Sequence, residues 1–329
     1  LVDVVGGACD GSEALRKTLE LEPDLITLDL EMPGMDGFTF LRLLMSRRPT
    51  PVLVVSGRSG DQDVFKALEL GAVDFVAKPS PRPTPELQRI QHELIRKVHS
   101  IRQLRIDKVQ ERLVAPPSVV RAEPAGDAAA RLVAIGSSTG GPAALMQLFG
   151  AFTDLPSCAF LVSQHMPPGF TRGFAERLDR LTHLRAREAE GGEAPEPGCV
   201  LVAPGGRHLE LETVGGRVVT CLVDRQESDM FAPAVDRMFA SAAKHYGSEV
   251  LGVVLSGMGD DGREGVLRIK EVGGTVIAES EETAVIFGMP QQAIRPGRVD
   301  AVLPLDRLAG AIQAGVADGF RGQEAGGGS

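Results

Sequence analysis

Residues 132–145 read LVAIGSSTGGPAAL, an apolar run that stops abruptly at two serines, a threonine and two glycines. A short apolar run is typical of a buried strand, and the stretch after it has helical spacing with a proline near its start. The segment therefore predicts a strand, a tight polar turn and a helix, which is the repeating unit of an α/β sheet. The hydroxyls at the turn could hold a phosphate, cap the helix or include a nucleophile.

The same alternation continues through the second half of the chain. Strands are predicted at 131–136, 158–164, 199–203, 249–255, 274–278 and 299–303. Helices are predicted at 142–151, 170–181, 233–246, 262–272 and 305–317. Two β-rich runs flank Gly215 and Gly216 between 208 and 223, which is a hairpin signal. We therefore expect a doubly wound, mostly parallel α/β/α sheet over residues 131–318.

The first half also alternates, with buried parallel strands predicted at 24–30, 50–57 and 73–79 and helical patterns between them. A mixed-charge helical pattern covers 85–113, and residues 114–130 are rich in proline and alanine without periodicity. We expect a (βα)-type domain over 1–106, a linker over 107–130 and a disordered tail over 319–329.

Composition excludes several classes of function. The net charge of −9 opposes nonspecific nucleic-acid binding through a basic face, and no apolar run approaches a membrane span. The four cysteines show no CxxC spacing and the six histidines form no HxxxH or HxH pair, so a dedicated metal site is not expected. These features predict a cytoplasmic protein with reduced thiols and no membrane insertion.

Ser138 lies at the centre of a G-x-S-x-G pattern at residues 136–140. This pattern is typical of a serine on a sharp strand-to-helix turn, where small neighbours leave room for a substrate and helix N–H groups can stabilise an oxyanion. Helix capping and phosphate binding by the turn are the alternatives that the motif alone leaves open.

His165 follows a second predicted strand, and Asp260 and Asp261 follow a third in a glycine-rich turn. Because loops at the carboxyl ends of parallel strands meet at one crevice, Ser138, His165 and an aspartate would converge there. That set of side chains suits acyl transfer. The chain order Ser, His, Asp differs from the Ser, Asp, His order of α/β-hydrolases, which disfavours that fold.

Five segments of the second half resemble, in order, the signatures of CheB-type protein-glutamate methylesterases: IGSSTGGP, QHMPPGFTRGFAERL, LVAPGGRHLEL, VLSGMGDDGREG and FGMPQQAI. They cover essentially all of residues 131–305. The resemblance implies hydrolysis of glutamate methyl esters, and deamidation of certain glutamines, on the cytoplasmic helical bundle of chemoreceptors, without a cofactor. It implies Ser138 as nucleophile, His165 as base and Asp261 as the acid that orients the histidine. Thr139 and the backbone of Met258 match positions near the oxyanion.

Two further features of this segment follow from the resemblance. Ser137 and Asp260 remain turn and cap residues. Met230, Phe231 and Ala232 stand before Pro233 where family members often carry basic residues, so the contacts to substrate differ there while the chemistry does not.

The first half resembles response-regulator receiver domains through DLEMPGMDG, VVSG and GAVDFVAKP. The resemblance implies that Asp29 accepts a phosphoryl group, that Ser56 is the switch hydroxyl and that Lys78 contacts the phosphate. It also implies that Asp29 and the backbone carbonyl of Glu31 bind Mg²⁺ when the acidic pair of a receiver is present. A histidine kinase is the implied phosphodonor. Without phosphate, such a receiver covers the esterase cleft.

Receivers also carry an acidic pair at the end of a first strand, and this sequence has none. LVDVVGGACDGSEAL, at the start of the chain, resembles the second strand and second helix, and the first residue is Leu, not Met. We therefore expect a truncated N-terminus, a strand at 1–5 that lacks its partner, and incomplete Mg²⁺ ligation.

Two other classes of function fit the sequence less well than a phosphorylation-controlled esterase. A nucleotide-binding module could use GSSTGGP as a phosphate cradle, but it lacks GxGxxG or GK[ST] and leaves His165 and Asp261 without a role. A DNA-binding response regulator conflicts with the acidic charge and with α/β alternation in the second half.

Overall fold

The computed structural model of the chain describes residues 2–57, 61–78, 86–100, 129–154 and 156–318. The chain divides into two units, Leu1–Val114 and Ala115–Ser329, each built around its own sheet. The linker predicted at 107–130 falls almost wholly outside the described residues, and so does the tail predicted at 319–329. Those two predictions stay predictions.

The first unit alternates helices and strands as its pattern predicts. Its described elements are α1 (Gly11–Leu21), β1 (Ile26–Asp29), α2 (Gly37–Arg47), β2 (Val52–Ser56), α3 (Asp61–Glu69), β3 (Asp74–Ala77) and α4 (Glu86–Ser100). The strands form a parallel sheet in the order β1-β2-β3. All four residues of β3 are buried, which agrees with the near-continuous apolar run expected of a strand covered on both faces.

The described N-terminal segment consists of an unpaired apolar run followed by a helix. The Asp10 side chain accepts hydrogen bonds from the Ser12 and Glu13 N–H groups and begins α1, so the predicted helix is present. The expectation that the run at 1–5 lacks a partner is confirmed for the described part of that range, where residues 2–8 form no regular structure and Val4 is 91% exposed. A strand needs a neighbour for its backbone hydrogen bonds, and residues 2–5 have none among the described strands.

A buried lysine ties α4 to β3. The Lys97 ammonium lies 3.0 Å from the Asp74 carboxylate and 3.1 Å from that of Glu93, and it donates to the Phe75 carbonyl at 2.6 Å. Burial alone would lower the pKa of Lys97, but the two carboxylates raise it, so the lysine stays charged. The helix is thereby anchored to the sheet through a satisfied buried ion pair.

The second unit contains a seven-stranded parallel sheet with helices and a separate hairpin. Its described elements are β4 (Leu132–Ser137), α5 (Gly141–Gly150), β5 (Ala159–Gln164), α6 (Thr171–Leu181), β6 (Arg185–Glu188), β7 (Cys199–Val202), β8 (Arg207–Val214), β9 (Arg217–Asp224), α7 (Val235–Tyr246), β10 (Val250–Val254), α8 (Arg263–Glu271), β11 (Thr275–Glu279), α9 (Gly288–Ile294), β12 (Ala301–Leu303) and α10 (Leu305–Asp318). The sheet order is β12-β11-β10-β4-β5-β7-β6, and every pairing in it is parallel.

Strand β4 is the first strand of this sheet in the chain, and it lies in the middle. The chain adds β5, β6 and β7 on one side of β4 and then β10, β11 and β12 on the other. The order reverses beside β4, and in open α/β sheets such a reversal opens a crevice at the carboxyl ends of the strands. The fold therefore places the polar turn after β4 at that crevice.

The predicted elements of the second unit are confirmed to within two residues at each end. The hairpin is confirmed too: β8 and β9 pair antiparallel around Gly215 and Gly216, which both have positive φ, the conformation of a tight two-residue hairpin turn. The pattern missed β6 and α9. The four residues of β6 are mostly polar because it is an edge strand, and α9 has seven residues with a proline at 290.

Candidate active site

Three neighbouring strands carry the candidate catalytic side chains at their carboxyl ends. Ser138 directly follows β4, His165 directly follows β5, and Asp261 lies in the loop after β10. The order β10-β4-β5 places Ser138 between the other two, and the His165 N–H donates to the Ser137 carbonyl at 3.0 Å. The structure thus brings together the serine, histidine and aspartate that the sequence singles out.

The backbone of Ser138 is held from both neighbouring strands. Its N–H donates to the Ser256 carbonyl at 3.0 Å, and its carbonyl accepts from the Gln164 side-chain amide at 2.9 Å and from the Gly141 N–H at 2.8 Å. The residue is 7% exposed. The turn that presents the serine is therefore rigid, as a preorganised nucleophile requires.

The glycines around Ser138 serve close packing. A Cβ on Gly136 would lie 2.3 Å from Val235 Cγ1, and one on Gly141 would lie 2.1 Å from Gln164 Oε1. Gly140 has φ +78°, a conformation that favours glycine. The expectation that small neighbours leave space for substrate is wrong at Gly136 and Gly141, where protein atoms occupy that space.

His165 and Asp261 form a buried pair. His165 Nε2 lies 2.7 Å from Asp261 Oδ2, and the two side chains are 7% and 5% exposed. His165 Nδ1 is buried and has no hydrogen-bond partner among the described residues. Asp261 orients the ring through Nε2, so Nδ1 is the nitrogen left to exchange a proton.

The Asp261 carboxylate is stabilised as an anion at the start of α7. Oδ2 also accepts from the Val235 N–H at 2.8 Å, and Oδ1 accepts from the Asp236 N–H at 2.9 Å. Burial would raise the pKa of Asp261, but the bond to His165 and these two N–H groups lower it below its usual value. A helix N-terminus favours negative charge in the same sense.

Phe231 covers one face of the imidazole, which the sequence did not indicate beyond its departure from the family pattern. The Phe231 and His165 rings are stacked, with centroids 4.2 Å apart and planes within 6° of parallel. The loop that carries Phe231 is anchored where Ala232 accepts a hydrogen bond from the Gly206 N–H at 3.0 Å. Asp229, earlier in that loop, pairs with the buried His208 at 2.9 Å.

The loop from 256 to 260 passes close over Ser138. A Cβ on Gly257 would lie 2.8 Å from the Ser138 Cβ, so only glycine fits at that approach. Next along the chain, the Met258 N–H donates to no acceptor among the described residues. Thr139 is 4% exposed, and its carbonyl accepts from the Ser256 hydroxyl at 2.9 Å. The arrangement leaves the Met258 N–H available to an oxyanion.

Ser137 and Asp260 lie beside the site without joining it. The Ser137 hydroxyl is fully buried and donates to Gln164 Oε1 at 2.7 Å. Asp260 is exposed, and among the described hydrogen bonds only its backbone carbonyl takes part, accepting from the Arg263 N–H at 3.0 Å. The carboxylate that caps α8 is that of Asp236, which no sequence motif indicated.

In the first unit, Asp29, Ser56 and Lys78 meet at the carboxyl ends of β1, β2 and β3. The Lys78 ammonium lies 2.5 Å from Asp29 Oδ2, and the Lys78 N–H donates to the Ser56 carbonyl at 2.7 Å. The Glu31 N–H donates to Asp29 Oδ1 at 3.1 Å. A half-buried carboxylate paired with an ammonium, with a serine at the end of the neighbouring strand, is suited to holding a phosphoryl group.

The described residues of this unit do not supply a ligand set for Mg²⁺. Within the described ranges, no group of three or more His, Cys, Asp or Glu side chains could hold a metal ion. Asp29 is the single carboxylate of the Asp29–Ser56–Lys78 set, and its Oδ2 is already paired with Lys78. Asp29 and the Glu31 backbone do not by themselves complete a Mg²⁺ site.

Every helix that the structure describes is too short or too polar to traverse a lipid bilayer. The fold and the two sites define a class: an α/β protein with a receiver-like unit followed by a doubly wound unit whose crevice carries a serine-hydrolase set of side chains.

Comparison with known proteins agrees with this class in both units. The family described as CheB methylesterase matches residues 133–312, and the family described as response regulator receiver domain matches residues 2–88. The crystal structure of the Thermotoga maritima CheB methylesterase catalytic domain is 42% identical, with a TM-score of 0.54, and the match covers 56% of this chain and 97% of that one.

Relatives extend the match over nearly the whole chain. A Geobacter sulfurreducens protein named protein-glutamate methylesterase/protein-glutamine glutaminase 3 is 46% identical, over 94% of this chain and 89% of that protein. A Myxococcus xanthus protein, named protein-glutamate methylesterase/protein-glutamine glutaminase 1, is also 46% identical, over 95% and 89%. The chain belongs to the CheB methylesterase family and carries a receiver domain ahead of its catalytic domain.

Proposed function

We propose that this chain hydrolyses glutamate γ-methyl esters, and deamidates glutamines, on the cytoplasmic helical bundle of chemoreceptors. Membership of the CheB methylesterase family and the names of its relatives support this reaction. The observation that carries it is the set formed by Ser138 and the 2.7 Å His165–Asp261 pair at the ends of three adjacent strands.

Acylation follows from the roles we assign to these side chains. The Ser138 Oγ attacks the ester carbonyl while His165 Nδ1 takes the hydroxyl proton. The tetrahedral oxyanion receives the Met258 N–H, with the Thr139 backbone beside it. The C–O bond to the methoxy group then breaks, and the proton on His165 passes to the leaving oxygen. Methanol departs and an acyl-enzyme remains.

Deacylation repeats the sequence with water. His165 removes a proton from the water, the hydroxide attacks the acyl carbon, and the Ser138 oxygen leaves with the proton returned by His165. The products are a glutamate carboxylate and the free serine. With a glutamine substrate the leaving group is ammonia and the remaining steps are the same. Asp261 holds the tautomer that keeps Nδ1 basic.

Control of this activity by phosphorylation is the second part of the proposal. Once the metal ligands of the receiver are complete, a cytoplasmic histidine kinase would transfer its phosphoryl group to Asp29. Lys78 and Ser56 would contact the phosphate oxygens, and the modified receiver would relieve inhibition of the esterase. The receiver family match and the 2.5 Å Asp29–Lys78 contact support these roles.

Methanol release from receptor membranes carrying labelled methyl groups tests the esterase. We expect the full chain to release methanol and the Ser138→Ala variant to lose this activity while keeping its melting temperature. Ser137→Ala is the matched control, because the Ser137 hydroxyl faces Gln164, and it should stay within about tenfold of the parent. Near-normal turnover by Ser138→Ala would exclude Ser138 as the nucleophile and make Ser137 the next candidate.

A further inference from the structure

Helices α7 and α8 begin beside each other, and the N–H groups at the start of each helix donate to a carboxylate from the start of the other. Asp261, just before α8, accepts from the Val235 and Asp236 N–H groups at the start of α7. Asp236, in the first turn of α7, accepts from the Gly262 N–H at 2.9 Å and the Gly265 N–H at 2.7 Å at the start of α8. We call this four-bond arrangement of Asp236 and Asp261 the reciprocal cap.

The reciprocal cap surrounds the residue that orients the histidine. Gly262, which donates to Asp236, directly follows Asp261, and the Asp236 N–H itself donates to Asp261 Oδ1. The Asp236 carboxylate therefore holds the backbone directly after Asp261, and the Asp236 N–H holds Oδ1 of Asp261. The remaining contacts of that carboxylate are the Val235 N–H and His165.

We infer that Asp236 is a positioning residue for the acyl-transfer reaction, because the reciprocal cap sets where the Asp261 carboxylate meets His165 Nε2. This inference rests on the proposed function. Asp236 does not contact the reacting atoms; it acts through Asp261 and His165. The angle and distance of the Asp261–His165 bond determine where Nδ1 points, and misplacement by about 1 Å can reduce a rate about 100-fold.

The carboxylates of Asp236 and Asp261 repel each other, and the N–H groups at the starts of α7 and α8 hold them in place. Burial, together with the charges of Asp261 and Glu264, raises the pKa of Asp236 from 3.8 to about 6, although the Gly262 and Gly265 N–H groups oppose the shift. An aspartate that served only to begin α8 would be expected where helix caps usually lie, on the residue before the helix. Here that position is Gly262, and Asp236 reaches across from another helix.

The asparagine variant separates hydrogen bonding from charge. Both glycine N–H groups donate to the same oxygen, Oδ1, so the amide oxygen of Asp236→Asn can replace it without loss of either bond. Asp236→Ala removes both bonds. Asp300→Ala is the matched control: the Asp300 carboxylate also bridges two elements, through the Val276 N–H and Lys270, but at the opposite end of the strands from the site.

The experiment measures methanol release by the full chain and its three variants, each with a melting temperature. We expect Asp236→Ala to lower kcat about 10–100-fold with KM within about twofold, Asp236→Asn to stay within about fivefold, and Asp300→Ala to keep the parent's kcat. A folded Asp236→Ala variant with at least half of the parent's kcat would overturn the inference. A kcat that falls equally in Asp236→Ala and Asp300→Ala would also overturn it, since the effect would then be general loss of stability.

A spectroscopic measurement keeps the test independent of activity. In ¹⁵N-histidine-labelled full chain, the Nε2–H proton of His165 bonded to Asp261 should give a downfield resonance, assigned by its loss in His165→Gln. We expect it in the parent and in Asp236→Asn, and we expect it shifted or lost in Asp236→Ala. If the parent releases no methanol, the proposed function fails while this resonance still decides the role of Asp236. An unchanged resonance in a folded Asp236→Ala variant excludes that role. If Asp236→Ala does not fold, Asp236→Ser takes its place in the same test, because the shorter serine hydroxyl cannot reach both glycine N–H groups.

Discussion

Replacing Asp261 with asparagine removes a charge while keeping the shape of the side chain. The carboxylate accepts three N–H bonds: from His165 Nε2 and the Val235 N–H at Oδ2, and from the Asp236 N–H at Oδ1. An asparagine side chain offers one acceptor oxygen and one NH₂ group in place of two acceptors. Neither orientation of the amide can satisfy all three donors.

Each orientation of the amide carries its own penalty. With the NH₂ toward Asp236, two donors face each other in a buried site, at a cost of about 1–3 kcal/mol. With the NH₂ toward His165, Nε2 must accept, so the ring proton moves to Nδ1, and Nδ1 can no longer take the Ser138 proton. Both orientations also lose the negative charge that stabilises the imidazolium in the transition state. We therefore expect kcat to fall about 10²–10⁴-fold.

Single-turnover and steady-state methanol release measure this loss, with the melting temperature as a check on folding. Asp260→Asn is the matched control, since Asp260 is the exposed neighbour of Asp261 and should keep the parent's rate. KM should change little, because no proposed contact to the ester runs through Asp261. A folded Asp261→Asn variant within tenfold of the parent would refute the assignment of Asp261 as the residue that orients His165.

Three further outcomes follow from the structure. Phe231→Ala should lower kcat/KM about 2–10-fold, because an aromatic stack contributes about 0.5–1.5 kcal/mol. Phe231→Leu should lower kcat/KM by a similar factor, because leucine lacks the ring that stacks on His165. Full activity in Phe231→Leu would contradict this and show that apolar bulk is enough. Because the pKa of Asp236 is raised to about 6, the folded state holds that proton more tightly than the unfolded chain does. The free energy of unfolding of the parent therefore falls as the pH rises from about 4 to about 6. Asp236→Asn should remove about 1–2 kcal/mol of this loss after allowance for solvent screening, measured by urea unfolding at pH 4 and pH 7; identical pH dependence in both proteins would contradict the expectation. Acetyl phosphate with Mg²⁺ should not detectably label Asp29 in this chain, because its described residues supply no cluster of metal ligands. A phosphate-affinity gel shift that Asp29→Asn abolishes would contradict this.

Much of the fold could be predicted from local pattern because burial imposes it. The fully buried strands β3, β4, β5, β7 and β10 are covered on two faces, so most of them read as short apolar runs, and the helices between strands carry helical spacing. The hairpin is specified by Gly215-Gly216, since that turn needs positive φ at both positions. The pattern did not predict the edge strand β6, because its residues are mostly polar and partly exposed. Residues 2–5 form no strand, because a strand needs a neighbour to pair with as well as an apolar run.

The candidate site also has features that the sequence predicts and features that only the tertiary structure decides. The sequence by itself determined that Ser138, His165 and an aspartate of the 260–261 turn would meet, because the carboxyl ends of parallel strands gather at one edge of a sheet. The choice of Asp261 over Asp260 came from the resemblance to the family. Only the tertiary structure decided that Nε2 of His165 faces Asp261, that Phe231 stacks on the ring and that Asp236 reaches across to the start of α8. These contacts join residues 26 to 96 positions apart. Their geometry depends on how the loops and helix starts pack against one another, which no local pattern of residues records.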